Sequence, residues 1–274
     1  MTASDALREA AARLASVSDT PRLDAELLMA HAAGLERGEM LLRLRDMDMP
    51  EGFAALVERR LAHEPVSQII GTRDFWTLTL NVTRDVLTPR PDSETLIEAA
   101  VDHFAGGQGP ARVLDLGTGS GALLLAALTE WPEARGLGVD ISPAALAVAR
   151  ANAARCGLAS RAEFAEGNWF AGVVGQFDLI LANPPYIATD AALPRDVAEY
   201  EPHGALFAGA DGLDAYRILA PQMAAHLAPG GMAAVEIGHD QGLSAAALFT
   251  VQGLGVSVFN DLGGRPRCLK LVRL

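Results

Sequence analysis

Lysine is almost missing from these 274 residues: Lys270 is the only one, and arginine carries nearly all the positive charge. Asp and Glu outnumber Lys and Arg by 34 to 22, for a net charge of -12. No segment gathers the arginines into a stripe. An acidic chain is repelled by polyphosphates, so DNA and RNA are not expected as partners. Cysteine is equally scarce. Cys156 and Cys268 are the two present. They make neither a disulfide framework nor a thiolate metal set, and no metal site is expected. Charge is missing from residues 241–260, but Gly242, Gly253, Gly255, Gln241 and Gln252 break that stretch. It reads as helix, turn and strand and not as a membrane span. At the N-terminus, Asp5, Arg8, Glu9 and Arg13 interrupt the apolar residues, so no signal-peptide core is read there. A cytoplasmic enzyme is the expectation.

What is present is apolar. Hydrophobic residues make up 50% of the chain, enough for a sizeable core. The length favours two domains or one large one. Residues 1–70 read as an all-helical unit. Ser4 is placed to cap a first helix through Val17, and Thr20-Pro21 opens a second that Gly34 ends. A short third helix is expected over 36–44. Pro50-Glu51 starts another, with Phe53, Leu56, Val57 and Leu61 on one face. No chemistry is visible in this unit, and partner recognition is its expected role. Over 71–87, Trp76, Leu78, Leu80 and Val82 alternate with Thr77, Thr79 and Asn81, which predicts a β-hairpin linker. Residues 88–274 form the remaining domain. Asp92 or Ser93 is placed to cap its first helix, which runs through Phe104.

From residue 111 onward strands and helices alternate. Strands are predicted at 113–116, 136–140, 161–165, 177–182, 232–237, 256–259 and 268–272. Helices are predicted at 122–128, 143–156, 213–227 and between the fifth and sixth strands. A long irregular stretch follows residue 182. The alternation implies an α/β fold with a doubly wound, mostly parallel seven-stranded sheet. Ligands of such sheets bind at the carboxyl ends of the strands.

Four successive strand ends carry suggestive residues. Asp115-Leu116-Gly117-Thr118-Gly119-Ser120-Gly121 leaves the first strand and opens a helix. Such a loop lets backbone approach a ligand, or simply makes a tight turn. Asp140 ends the next strand, where a carboxylate takes two ribose hydroxyls or caps the helix beginning at Pro143. Asn168-Trp169 follows the third. There Trp169 covers an adenine face and Asn168 meets its exocyclic amine, or Trp169 is core. Asn183-Pro184-Pro185-Tyr186 follows the fourth. Two prolines end a strand because neither has an N–H for the ladder. They leave stiffly held carbonyls beside one amide and one ring. Either this is a strand-ending turn, or it is a cradle for a planar NH2 group. No Gly-Lys-Ser/Thr loop, serine elbow or Cys–His pair is present. A donor with adenosine, a charged centre and an activated methyl fits the set, and S-adenosylmethionine is that donor.

With these residues the chain resembles the class I S-adenosylmethionine-dependent methyltransferases. It is more closely similar to the release factor glutamine methyltransferases (PrmC/HemK). The resemblance extends over nearly the whole chain. It also rests on Glu64-Pro65-Val66-Ser67-Gln68-Ile69-Ile70-Gly71, Pro89-Arg90-Pro91-Asp92-Ser93-Glu94, Asp211-Gly212-Leu213-Asp214 before Tyr216, and Asp261-Leu262-Gly263-Gly264-Arg265-Pro266-Arg267. The resemblance implies a Rossmann-like methyltransferase domain. It further implies N5-methylation of the Gly-Gly-Gln glutamine of class 1 peptide chain release factors. By the same analogy Gly117, Thr118, Gly119, Ser120, Gly121, Asp140, Asn168, Trp169 and Asn183 line the methyl donor. Asn183, Pro184, Pro185 and Tyr186 then hold the glutamine amide, with Asn183, Pro184 and Tyr186 catalytic. Asn168 departs from the family, which usually has an acid there. Two alternatives share parts of the pattern: a glutamine methyltransferase of ribosomal proteins, and an adenine-N6 DNA methyltransferase. The second must flip its base and hold a duplex, which the acidic charge disfavours.

Overall fold

The computed structural model describes residues 2–274, which divide into two units. The first runs to Thr72 and takes back Leu193–Tyr200; the second comprises Arg73–Ala192 and Glu201–Leu274.

The first unit holds α1 (Ala3–Leu14), α2 (Pro21–Ala33), α3 (Arg37–Arg43), α4 (Phe53–Leu61) and α5 (Val66–Ile70). Thr2, not Ser4, caps α1: its hydroxyl accepts from the Asp5 N–H, and the helix stops at Leu14. Pro21 stands at the first turn of α2, and Gly34 closes it in the left-handed conformation. The expected third helix is two residues shorter, because Glu36 and Leu44 are its caps. Helix α5 is absent from the sequence-based prediction. It is one turn long, too short to show a periodicity. Leu7, Leu14, Leu28, Met29, Met40, Phe53 and Val57 form the core of the unit. At its heart Arg60 is buried and reaches the Asp24 carboxylate at 2.9 Å and the Val17 carbonyl at 3.0 Å. A buried guanidinium requires such partners, so this pair sets how α2 and α4 pack.

A hairpin, β1 (Thr72–Phe75) and β2 (Leu78–Asn81), follows, and all of it but Thr72 belongs to the second unit. Alternation placed Trp76 in a strand. It sits instead in the turn with φ of 55°, and its N–H donates to the Glu94 carboxylate at 2.8 Å. The rest follows in order: α6 (Glu94–Phe104), β3 (Arg112–Leu116), α7 (Ala122–Glu130), β4 (Arg135–Asp140), α8 (Pro143–Arg155), β5 (Ala162–Glu166), β6 (Phe177–Ala182), α9 (Arg195–Tyr200, which belongs to the first unit), α10 (Asp214–His226), β7 (Leu227–Glu236), α11 (Gly242–Thr250), β8 (Leu254–Asn260) and β9 (Pro266–Arg273). Seven strands form one sheet in the order β5-β4-β3-β6-β7-β9-β8. Every pairing is parallel except those of β9, which runs against both β7 and β8.

The central strands are buried on both faces, as parallel strands covered by helices must be. Leu179 and Leu181 of β6 join the core under α6 and α7, while Ile180 and Ala182 join the core under α10 and α11. Order reverses between β3 and β6, which places a crevice at the carboxyl ends of β3, β4, β5 and β6. Among the described residues, no helix is long and apolar enough to cross a membrane.

Candidate active site

A cavity of about 450 Å³ opens at those strand ends. Its wall includes Gly117, Thr118, Gly119 and Ser120 after β3, Asp140 and Ile141 after β4, Asn168 and Trp169 after β5, and Asn183 and Pro185 after β6. Ten residues from four separate loops thus share one space. The remaining expected residues stand behind it. Gly121 is buried at the cap of α7, close against Leu125 and Ala149. Pro184 is buried, and Tyr186 is mostly buried with its hydroxyl turned to Glu236.

The glycine loop is held open by its own backbone. Gly117 and Gly119 have φ of 70° and 53°, which only glycine adopts without cost. The Gly117 and Thr118 N–H groups both donate to the Val139 carbonyl, tying the loop to β4. Asp115 anchors it from below, accepting from the Thr118 hydroxyl at 2.6 Å. Burial pushes the Asp115 carboxyl up to about 7, against the pull of that hydroxyl. Asn152 is fully buried and acts as a strut: its Nδ2 donates to the Ser120 carbonyl at 2.9 Å and the Asn81 carbonyl at 3.1 Å. No motif marked Asn152, because it lies within an alanine-rich helix.

Asp140 is not the helix cap. Ser142 performs that task, its hydroxyl accepting from Ala145 N–H. The Asp140 carboxylate accepts from Gly119 N–H at 2.8 Å and Ser142 N–H at 2.9 Å, one on each oxygen. Each oxygen keeps further acceptor capacity for a ligand hydroxyl. Trp169 turns at φ 55°, and its ring edge lies against Gly117. The ring is therefore a wall of the cavity. Asn168 is exposed and lines the same wall.

Asn183 stands at the end of β6, and its Nδ2 donates to the Ser93 hydroxyl at 3.2 Å. Ser93 was expected to cap a helix. It occupies that position with helical φ and ψ and makes no capping bond. The hydroxyl serves Asn183 instead. No backbone N–H of the described residues donates to the Pro184 carbonyl. Arg90, also on the cavity wall, is held by both oxygens of buried Glu201 at 2.9 and 2.7 Å. Behind Tyr186, Glu236 is 1% exposed. Burial raises its carboxyl to about 7, with the Ser93 hydroxyl and the Arg267 guanidinium opposing. Burial and the facing Glu236 also raise the Tyr186 hydroxyl well above its usual range, so it stays protonated. Ser93, Arg90 and Glu236 were missed as site residues. Two of them lie in the Pro89–Glu94 segment, which the sequence marked as a helix start and by its likeness to a family, and not as part of a site.

Comparison with known proteins now bears on this site. Residues 5–71 match the family model described as "PrmC N-terminal domain", and residues 93–199 match "Methyltransferase small domain". A release factor glutamine methyltransferase of Cereibacter sphaeroides is 50% identical over 275 residues, covering 97% of each chain. The chain belongs to the release factor glutamine methyltransferase family. A second member of this family, from Moorella thermoacetica, is 42% identical across 100% of this chain and 99% of its own. Solved structures extend the likeness of fold. A methyltransferase from Pyrococcus furiosus has a TM-score of 0.56 at 20% identity, covering 78% of this chain and 98% of its own. A ribosomal protein L11 methylase from Lactobacillus delbrueckii subsp. bulgaricus has 0.50 at 24%, covering 67% and 80%. At that distance these two speak for the Rossmann-like methyltransferase fold alone. As a release factor glutamine methyltransferase family member, the chain carries its Asn-Pro-Pro-Tyr at the end of β6, with Asn183 and Pro185 on the wall of the same cavity as the glycine loop.

Proposed function

We propose that this chain transfers the methyl group of S-adenosylmethionine to the side-chain nitrogen of the Gly-Gly-Gln glutamine in class 1 peptide chain release factors. One observation carries the reading: Asn183 shares a cavity with Gly117–Ser120 and Asp140, in a chain of this family. The cavity fits the donor. Gly117 and Gly119 put no side chain between the loop and a ligand, Asp140 retains acceptors for two hydroxyls, and Trp169 offers a ring face. S-adenosylmethionine supplies a methyl already activated by its sulfonium.

The rest of the task is orientation. An amide nitrogen is a weak nucleophile, since its lone pair is delocalised into the carbonyl. With Nδ2 committed to Ser93, Asn183 presents its Oδ1 as an acceptor. The Pro184 carbonyl is a second acceptor. Two acceptors on one NH2 group raise the electron density on nitrogen and fix its direction, which is worth more than acid–base help here. Tyr186 packs on the amide plane. The nitrogen sheds its proton to solvent after the new N–C bond forms. Residues 1–70 take the part of partner recognition. Cytoplasmic location follows from that substrate.

The test uses labelled donor, purified release factor and the same factor with its Gly-Gly-Gln glutamine changed to Ala. Label is expected on the first alone. Label on both, or on neither, overturns the reading. Asn183→Ala is expected to abolish transfer while leaving donor binding measurable.

A further inference from the structure

Beyond the cavity wall lies a buried polar group to which the reading above gives no task. Gln241 precedes α11 and is 9% exposed. Its Nε2 donates to the Tyr186 carbonyl at 2.9 Å and the Gly212 carbonyl at 3.3 Å. Its Oε1 accepts from Gly238 N–H at 3.0 Å. The Tyr216 hydroxyl lies 3.3 Å from the same oxygen and 3.0 Å from the Glu236 carbonyl, sharing one hydrogen between them. Both hydrogens and both lone pairs of one amide are therefore engaged. The partners decide its orientation, since a backbone N–H only donates and a carbonyl only accepts.

Gly212 closes the other side. It has φ of 72°, and a Cβ there would collide with the Tyr186 carbonyl oxygen and stand 2.8 Å from Gln241 Nε2. At the far end of the same residue, the Tyr186 hydroxyl meets Glu236 Oε1 at 3.2 Å. Tyr186 is thus gripped at its carbonyl and at its hydroxyl. Pro185 before it has a locked φ, so little freedom remains between Tyr186 and the Pro184 carbonyl.

We propose that Gln241 is a positioning residue for methyl transfer, holding Tyr186 and, through Pro185, the direction of the Pro184 carbonyl. It acts on the acceptor half of the site and not on the donor half. The inference rests on the function proposed above. No carboxylate replaces this amide, because it would face two carbonyl oxygens with nothing to donate.

The experiment compares full-length wild type, Gln241→Met and Gly212→Ala. It measures kcat/KM for release factor at saturating donor, affinity for S-adenosylhomocysteine by calorimetry, and thermal unfolding. For both variants, kcat/KM is expected to fall about 10- to 100-fold, since small misplacement of reacting groups costs that much. Product affinity should stay within about two-fold, because no donor contact is touched. Gln241→Asn, which keeps the amide but draws it back by one methylene, replaces any variant that unfolds at the assay temperature, and it too should lose kcat/KM with product affinity unchanged. A folded Gln241→Met with wild-type kcat/KM overturns the inference, as does an equal loss in product affinity. Wild type that leaves release factor unlabelled overturns the substrate reading itself, a separate result.

Discussion

The amide nitrogen of Asn183 donates to the hydroxyl of Ser93, 90 residues earlier in the chain, at 3.2 Å. With Nδ2 as the donor in this bond, the Asn183 oxygen is the end left for a ligand. A donor hydrogen turned to Ser93 leaves the oxygen as acceptor, which is the polarity an incoming NH2 group requires. The bond also explains why Ser93 stands at a helix start without capping it.

Ser93→Ala removes the partner that orients Asn183 and leaves the backbone unchanged. The expected result is a fall in kcat of about 5- to 10-fold, the worth of one ordinary hydrogen bond. Affinity for S-adenosylhomocysteine should be unchanged. Single-turnover methylation of release factor beside calorimetry reads both. Unchanged turnover would show that Asn183 holds its orientation without Ser93.

Asp140→Asn tests the second strand end. Each carboxylate oxygen now accepts a backbone N–H, from Gly119 and from Ser142. An amide replaces one acceptor with a donor and sets it against one of those N–H groups. A weakening of product affinity by about 10- to 100-fold is expected, the range for bonds to a charged group. Equal affinity in the variant would remove Asp140 from the donor site.

Stability should depend on pH through the two buried acids. Burial raises Asp115 and Glu236 to about 7 in the folded chain, from ordinary values of 3.8 and 4.5. A raised acid keeps its proton in the folded state while the unfolded chain loses it. The contribution is therefore complete below the ordinary values and is lost as pH rises through about 7. Chemical denaturation across that interval should show falling stability, and Glu236→Gln should make the decline shallower. A flat profile in wild type would show that neither acid is protonated when folded.

Much of the fold was open to reading because its signals are local. Strands β3 and β6 are short, mostly apolar runs, and the helices after β3 and β4 start at Ala122 and Pro143 as expected. What was misread also has local causes. Trp76 alternates in the sequence like a strand residue but turns at positive φ. Helices α5 and α9, of five and six residues, are too short to show a period.

The site divides along the same line. Gly117–Ser120, Asp140, Asn168, Trp169 and Asn183 announce themselves, since each follows a strand and the rule for open sheets brings strand ends together. By itself the sequence determined the kind of sheet and the residues on its carboxyl edge. Only the tertiary structure decided how those residues are held. Ser93 reaches Asn183 across 90 positions, Asn152 braces Ser120 across 32, and Gln241 holds Tyr186 across 55. Each is a single polar side chain whose role depends on a partner distant in sequence. Hydrogen bonds are directional and short, so pairings of that kind carry no periodicity and exist only once the sheet has brought the partners within reach.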